Sequence, residues 1–180
     1  MDEQSLESAR DDRDLCYQML VDSLYDLIKS YRALLTLVRK EREILISADI
    51  EQLNDSNREK ESILLRIRNQ EKSRQKHARD FAQWLGADME NPQLLDFVFR
   101  LSESDPVKSD KLRSLYSVVT LLLKRLAENN QQNEALVRAA LDNITGAMNA
   151  IKDAFTESPT YEAKGAARRS SSGHLVRREV

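Results

Sequence analysis

The sequence predicts an all-α protein: an elongated antiparallel helical hairpin or bundle of three long helices plus a short helix, with a disordered C-terminal tail. Three observations carry that prediction. First, Tyr17, Leu20, Leu24, Leu27, Tyr31, Leu34, Val38, Glu41 and Leu45 follow one another at alternating steps of three and four, a heptad seam in which only Glu41 is not apolar. Second, the same spacing resumes in Ile50, Leu53, Asn57, Lys60, Leu64, Ile67, Glu71, Arg74, Ala78, Phe81 and Leu85, with only Ser47-Ala48-Asp49 between the runs. Two long helices joined so tightly must fold back on each other. Third, 32% of residues are charged and 6% aromatic, with only four Gly and three Pro in 180 residues. That composition suits a long, thin helical core and not a sheet.

The first helix is expected over about residues 5–46, with Ile28 and Leu35 widening its apolar face enough to meet more than one partner helix. Asp49 is a good N-cap for the second helix, expected over 50–85, and Gln52 stands at the capping-box position. Glu41 in one seam faces Asn57 and Lys60 in the other. These three residues read as a polar device that fixes register, with Glu41 and Lys60 within ion-pair reach.

Gly86 marks a stop, and Leu94, Leu95, Phe97, Val98, Phe99 and Leu101 form a short apolar helix over about 93–102 that closes one end. Asp105-Pro106 then supplies an N-cap and a first helical residue for a last helix over 106–155. In that helix Leu112, Leu115, Val119, Leu122 and Leu126 keep a seam, the polar block Glu128 to Glu134 interrupts it, and Val137, Ala140, Ile144, Ala147, Met148, Ile151 and Phe155 resume it one residue out of register. Such a stutter frees the second half from the packing of the first. At about 1.5 Å per residue, the second helix is roughly 55 Å long and the last roughly 75 Å. The excess begins after about residue 141, so Met148, Ile151 and Phe155 are expected to lack an intramolecular wall and to form a binding surface.

Residues 1–155 thus read as a helical bundle and 156–180 as a flexible tail containing Pro159, Gly165, a Ser170-Ser171-Ser172 run and Arg168, Arg169, Arg177 and Arg178. Tyr161 stands alone there. It reads equally as a stray aromatic or as the anchor of a short linear motif.

Several classes of chemistry are not expected. His77 and His174 lack metal-ligand partners at useful spacing, and no glycine-rich phosphate loop or nucleophile elbow is present. No catalytic residue, metal or cofactor is therefore expected, and the protein reads as a binder and not an enzyme. A net charge of −2 gives no general attraction to nucleic acid. No window approaches a membrane span, the acidic N-terminus is no secretory signal, and the single Cys16 suits a reducing compartment, so a cytoplasmic location is expected.

Glu41-x-x-x-Leu45, Asp49, Leu53, Glu59-Lys60-Glu61-Ser62-Ile63-Leu64-Leu65 and Glu71 to Arg74 together resemble the core of the FlgN-like flagellar type III export chaperones. Asn130-Gln131-Gln132-Asn133-Glu134-Ala135-Leu136-Val137 is similar to that family's second signature, and Pro159-Thr160-Tyr161 followed by Gly165 resembles its ending. The resemblance implies a chaperone that binds the C-terminal helices of the hook-associated, or hook-filament junction, proteins FlgK and FlgL and delivers them to the export gate protein FlhA. Contact with the export ATPase complex and a monomeric or homodimeric state are further implications. By position, Leu136, Val137, Ala140, Ile144, Met148, Ile151 and Phe155 would bind cargo, and Tyr161 would dock the gate. From the residues alone, two rivals stay open: a structural or adaptor coiled coil that dimerises through its C-terminal amphipathic helix, and a nucleic-acid-associated protein using the basic tail.

Overall fold

The computed structural model describes residues 3–86 and 92–156, and every element within them is a helix: α1 (Glu3–Ser47), α2 (Ile50–Trp84), α3 (Leu94–Ser104) and α4 (Pro106–Thr156). The chain divides into two compact units, Met1–Ala139 and Ala140–Val180. Among the described residues no helix is long and apolar enough to cross a membrane.

In the first unit α1 and α2 form an antiparallel hairpin. Its turn is set by local hydrogen bonding. Ala48 takes a left-handed backbone, φ 55°, and the amides of Ala48 and Asp49 donate to the carbonyls of Leu45 and Ile44, closing α1. Asp49 then caps α2: its carboxylate accepts from the Gln52 amide at 3.0 Å and from the Gln52 side chain at 2.8 Å. At the other end Gly86, φ 65°, supplies the left-handed residue that terminates α2.

The α1 seam points inward as its spacing demands. Tyr17, Leu20, Leu24, Leu27, Leu34, Val38 and Glu41 are buried, and Tyr31 and Leu45 half-buried. Ile28 and Leu35 are buried beside them. The α2 seam departs from its expected path in one stretch. Ser56 and Ile63 are buried, whereas Asn57 and Leu64 are exposed. The cause is helical drift: a straight helix turns roughly 20° per heptad away from a strict seven-residue repeat. Four heptads separate Asn57 from Leu85, so the inward face has moved by nearly one position.

α3 caps the open end of the hairpin. The Asp96 carboxylate accepts from the Gln93 amide at 2.8 Å, and Phe97, Val98 and Leu101 are buried. Phe99, expected in that apolar cluster, is instead 73% exposed, because α3 is one-sided and Phe99 falls on its outer face. The ring of Phe81 is 5.2 Å from that of Phe97 and 5.7 Å from that of Tyr17, which binds α1, α2 and α3 together. Asp105 caps α4 by accepting from the Lys108 amide at 3.1 Å, with Pro106 at the first helical position.

Between Pro106 and Ala139, α4 runs parallel to α1. Lys108 reaches Asp14, and 25 residues farther along α4 and 24 farther along α1 Asn133 reaches Val38. Leu112, Leu115, Leu122 and Leu126 are buried against the hairpin.

Candidate functional site: the C-terminal half of α4

α4 is pinned at its start by a charged cluster. Lys108 Nζ lies 2.6 Å from Asp14 and 3.0 Å from Asp105, and 5.4 Å above the ring of Tyr17. The hydrogen bond to Asp14 chiefly holds the Lys108 ammonium above its ordinary value, while the Lys108 amide chiefly lowers the Asp105 carboxyl. Burial raises the Tyr17 phenol. Ser109 Oγ donates to the Val98 carbonyl at 2.8 Å and ties α4 to α3.

The second fastening is polar as well. Lys60 Nζ of α2 donates to Glu41 Oε1 of α1 at 2.5 Å. Asn133 of α4 donates through Nδ2 to the Val38 carbonyl at 2.9 Å and to Glu41 Oε2 at 3.3 Å. One buried carboxylate therefore accepts from two other helices. Arg42 adds a 2.7 Å bond to Gln132 on the exposed side. A cavity of about 320 Å³ opens beside this tie, lined by Glu41, Lys60 and Asn133 and also by Asn57, Leu53 and Val137. The structure thus brings Glu41 and Lys60 into contact and leaves Asn57 at the cavity wall.

The sequence reading placed Asn133 inside a polar interruption. In the structure it is a seam residue: Leu112, Leu115, Val119, Leu122 and Leu126 continue without a slip through Asn129 and Asn133 to half-buried Leu136. The signal was present, since Asn133 stands one heptad after Leu126, where a polar residue in a seam marks pairing.

Beyond Leu136 the character of α4 changes. Val137, Ala140, Ile144, Met148, Ile151 and Phe155 fall within one face at 100° per residue, and all are exposed. Ile144 is 57% exposed, Met148 66%, Ile151 57% and Phe155 78%. Leu141, 57% exposed, joins the edge of this stripe and was not among the residues the sequence singled out. Its signal was the four-residue step from Val137. Arg138 and Glu134 flank the start of the stripe as an exposed pair at 2.5 Å.

Such a face buries apolar area when another helix lies along it; each fully covered large apolar side chain is worth about 1.5–3 kcal/mol. Among the described residues no group of His, Cys, Asp and Glu is arranged to hold a metal ion. Tyr161 and the arginines Arg168, Arg169, Arg177 and Arg178 lie outside the described residues, as does the expected flexibility of the tail.

Residues 17–169 match the family model described as FlgN protein. No curated protein and no solved structure matches the chain. The matched span opens at Tyr17, the first seam residue of α1, and runs past Phe155, the last residue of the exposed stripe, so the architecture and its exposed helix are covered together: the chain belongs to the FlgN family of flagellar type III export chaperones.

Proposed function

We propose that the stripe on α4, from Leu136 through Val137, Ala140, Ile144, Met148 and Ile151 to Phe155, is the cargo surface of a cytoplasmic chaperone for the hook-associated proteins FlgK and FlgL. The single observation that supports this reading is the exposure of Ile144, Met148, Ile151 and Phe155 on one face of a continuous helix. A cargo helix that exposes an apolar seam aggregates when free. Laid along this stripe, its seam and the stripe cover each other, and no nucleotide is required. Tyr161, beyond the end of α4, serves in the same reading as the anchor that docks the loaded chaperone on FlhA.

Pull-downs of the full chain against FlgK, FlgL and the cytoplasmic domain of FlhA test both parts. Ile151→Asp with Phe155→Asp abolishes cargo capture, since a charge cannot be buried against an apolar helix, and leaves the gate interaction intact. Tyr161→Ala does the reverse. Loss of both interactions in both variants means one composite site. Loss of neither, together with a mass that stays dimeric on dilution, favours an adaptor coiled coil paired through the same stripe.

A further inference from the structure

We propose that the outer face of α2 docks an acidic helix of a partner protein, at a surface separate from the stripe on α4. Arg68, Lys72, Lys76 and Arg79 follow one another at steps of four, four and three. At 100° per residue they fall within an arc of about 80°, opposite buried Ile63, Ile67, Ala78 and Phe81. All four are exposed, as is Arg66 beside them. Arg58, Lys60 and Arg74 of the same helix have carboxylate partners. Among the described residues no side-chain hydrogen bond or ion pair engages Arg66, Arg68, Lys72, Lys76 or Arg79.

Such a row opposes the helix that carries it. Arg68 and Lys72, and Lys72 and Lys76, are like charges four residues apart, and Lys76 and Arg79 are three apart. Elsewhere on exposed helix surfaces of this chain the same spacings hold opposite charges, Asp55 with Arg58 and Glu134 with Arg138. An opposed row of carboxylates turns the repulsion on α2 into attraction. The surrounding charges bound the row. From residue 62 to residue 79 the only acid of α2 is Glu71, half-buried and held by Arg74; Glu61 stands before this stretch and half-buried Asp80 after it. On the α1 side Asn69, Ser73 and His77 line a cleft of about 430 Å³ whose far wall carries Asp22 and Asp26, with Lys29 one turn on; Asp22 accepts from Gln18. Uncharged Asn69 and Ser73 separate that wall from the row. On the α4 side Asn130 faces Asn57 and Lys60 across a cavity, and the residues one and two heptads before it, Leu123 and Tyr116, are uncharged.

The row is roughly 16 Å long, three turns of helix. An acidic helix laid along it presents carboxylates at the same steps of four, four and three, one to each cation. Leu65, 61% exposed on the same arc, gives that helix an apolar contact at one end. A nucleic-acid strand runs on past the row into Glu61 and Asp80, and finds no aromatic side chain there to stack on. A bilayer meets one exposed leucine on this face and no aromatic residue. Bounded length, helical spacing and a single apolar contact together select a helix.

The test uses the full chain and a synthetic alanine-rich helix of about 20 residues with glutamate at i, i+4, i+8 and i+11, a leucine one turn outside the row at each end, and a diazirine at its centre. Fluorescence anisotropy at low salt should show binding that weakens as salt rises. A peptide of the same composition with its glutamates spread around the helix should bind at least about fivefold more weakly. Lys72→Gln with Lys76→Gln should weaken binding about tenfold, and Arg113→Gln with Lys124→Gln, the same charge change at exposed positions of α4, less than about twofold. Photo-crosslinks should fall between Leu65 and Arg79. Equal loss in the two charge variants, equal binding of the two peptides, crosslinks on α4, or displacement of the peptide by oligo-dT or phosphatidylglycerol vesicles at a phosphate concentration below that of its carboxylates would overturn the proposal. Ile151→Asp with Phe155→Asp should leave peptide binding intact, so failure of this face and failure of the cargo stripe are read separately.

Discussion

Glu41 and Asn133 stand 92 residues apart in sequence and 3.3 Å apart in space, on the two parallel helices of the bundle, with Lys60 of the antiparallel helix 2.5 Å from the same carboxylate. A buried charge of this kind is costly to desolvate and more costly to abandon. Lys60→Met therefore destabilises the protein by about 3 kcal/mol, because Glu41 is left with Asn133 alone. The double variant Glu41→Leu with Lys60→Met recovers most of that loss. Urea unfolding of both decides; a double variant no better than the single would remove the ion pair from the stability of the tie and leave it a role in register only.

The turn offers a gain. Ala48 holds φ 55° without being glycine. Ala48→Gly should stabilise the hairpin by about 0.5–1 kcal/mol, the left-handed strain relieved exceeding the extra entropy of the unfolded glycine. Thermal melting reads this directly, and a lower Tm would contradict it.

Lys108 and Tyr17 predict an alkaline weakness. Both groups have raised folded values, so their contribution is complete below their ordinary 10.5 and 10.0 and is lost as pH climbs through the folded values. Asp105 is lowered below 3.8, so its contribution is present above that value and is lost as pH falls through the folded one. The wild-type chain should lose stability above about pH 10, and Tyr17→Phe with Lys108→Met should flatten that limb and shrink the acid limb without abolishing it, because the Lys108 amide still lowers Asp105 when its side chain is gone. Denaturant midpoints measured across pH decide, and an alkaline loss as steep in the double variant as in the wild type would refute the assignment.

The stripe should be silent in stability. Ile151 and Phe155 are 57% and 78% exposed, so aspartate at both positions shifts unfolding by less than about 0.5 kcal/mol per site while cargo capture disappears. A large drop in Tm would mean that the face is covered in the free protein.

Much of this was legible because heptad spacing is a direct physical readout of which side of a helix avoids water. Tyr17 to Leu45 gave the α1 core face, and Asp49 and Asp105-Pro106 gave two helix starts by chemistry confined to a few residues. Asn57 and Leu64 misled because strict repeats ignore helical drift, which accumulates over the length of α2. Asn133 reads as part of a polar interruption because its neighbours Asn130, Gln131 and Gln132 are polar, and only a partner carboxylate three helices back in the chain gives it a reason to be inside. The Lys108 cluster was invisible for a related cause: Asp14 lies in an acidic stretch that reads as solvated until α4 returns alongside it.

α4 is one helix from Pro106 to Thr156, although its first part is buried against neighbours and its last part is bare. An isolated peptide of residues 140–156 would be marginal as a helix in water, since starting the first turn is the expensive event and each later residue adds cheaply. Here the packed residues from Leu112 to Asn133 have already made that start. The stripe is a growing end on a finished nucleus, and a ligand that lies along it does not have to supply the initiation free energy.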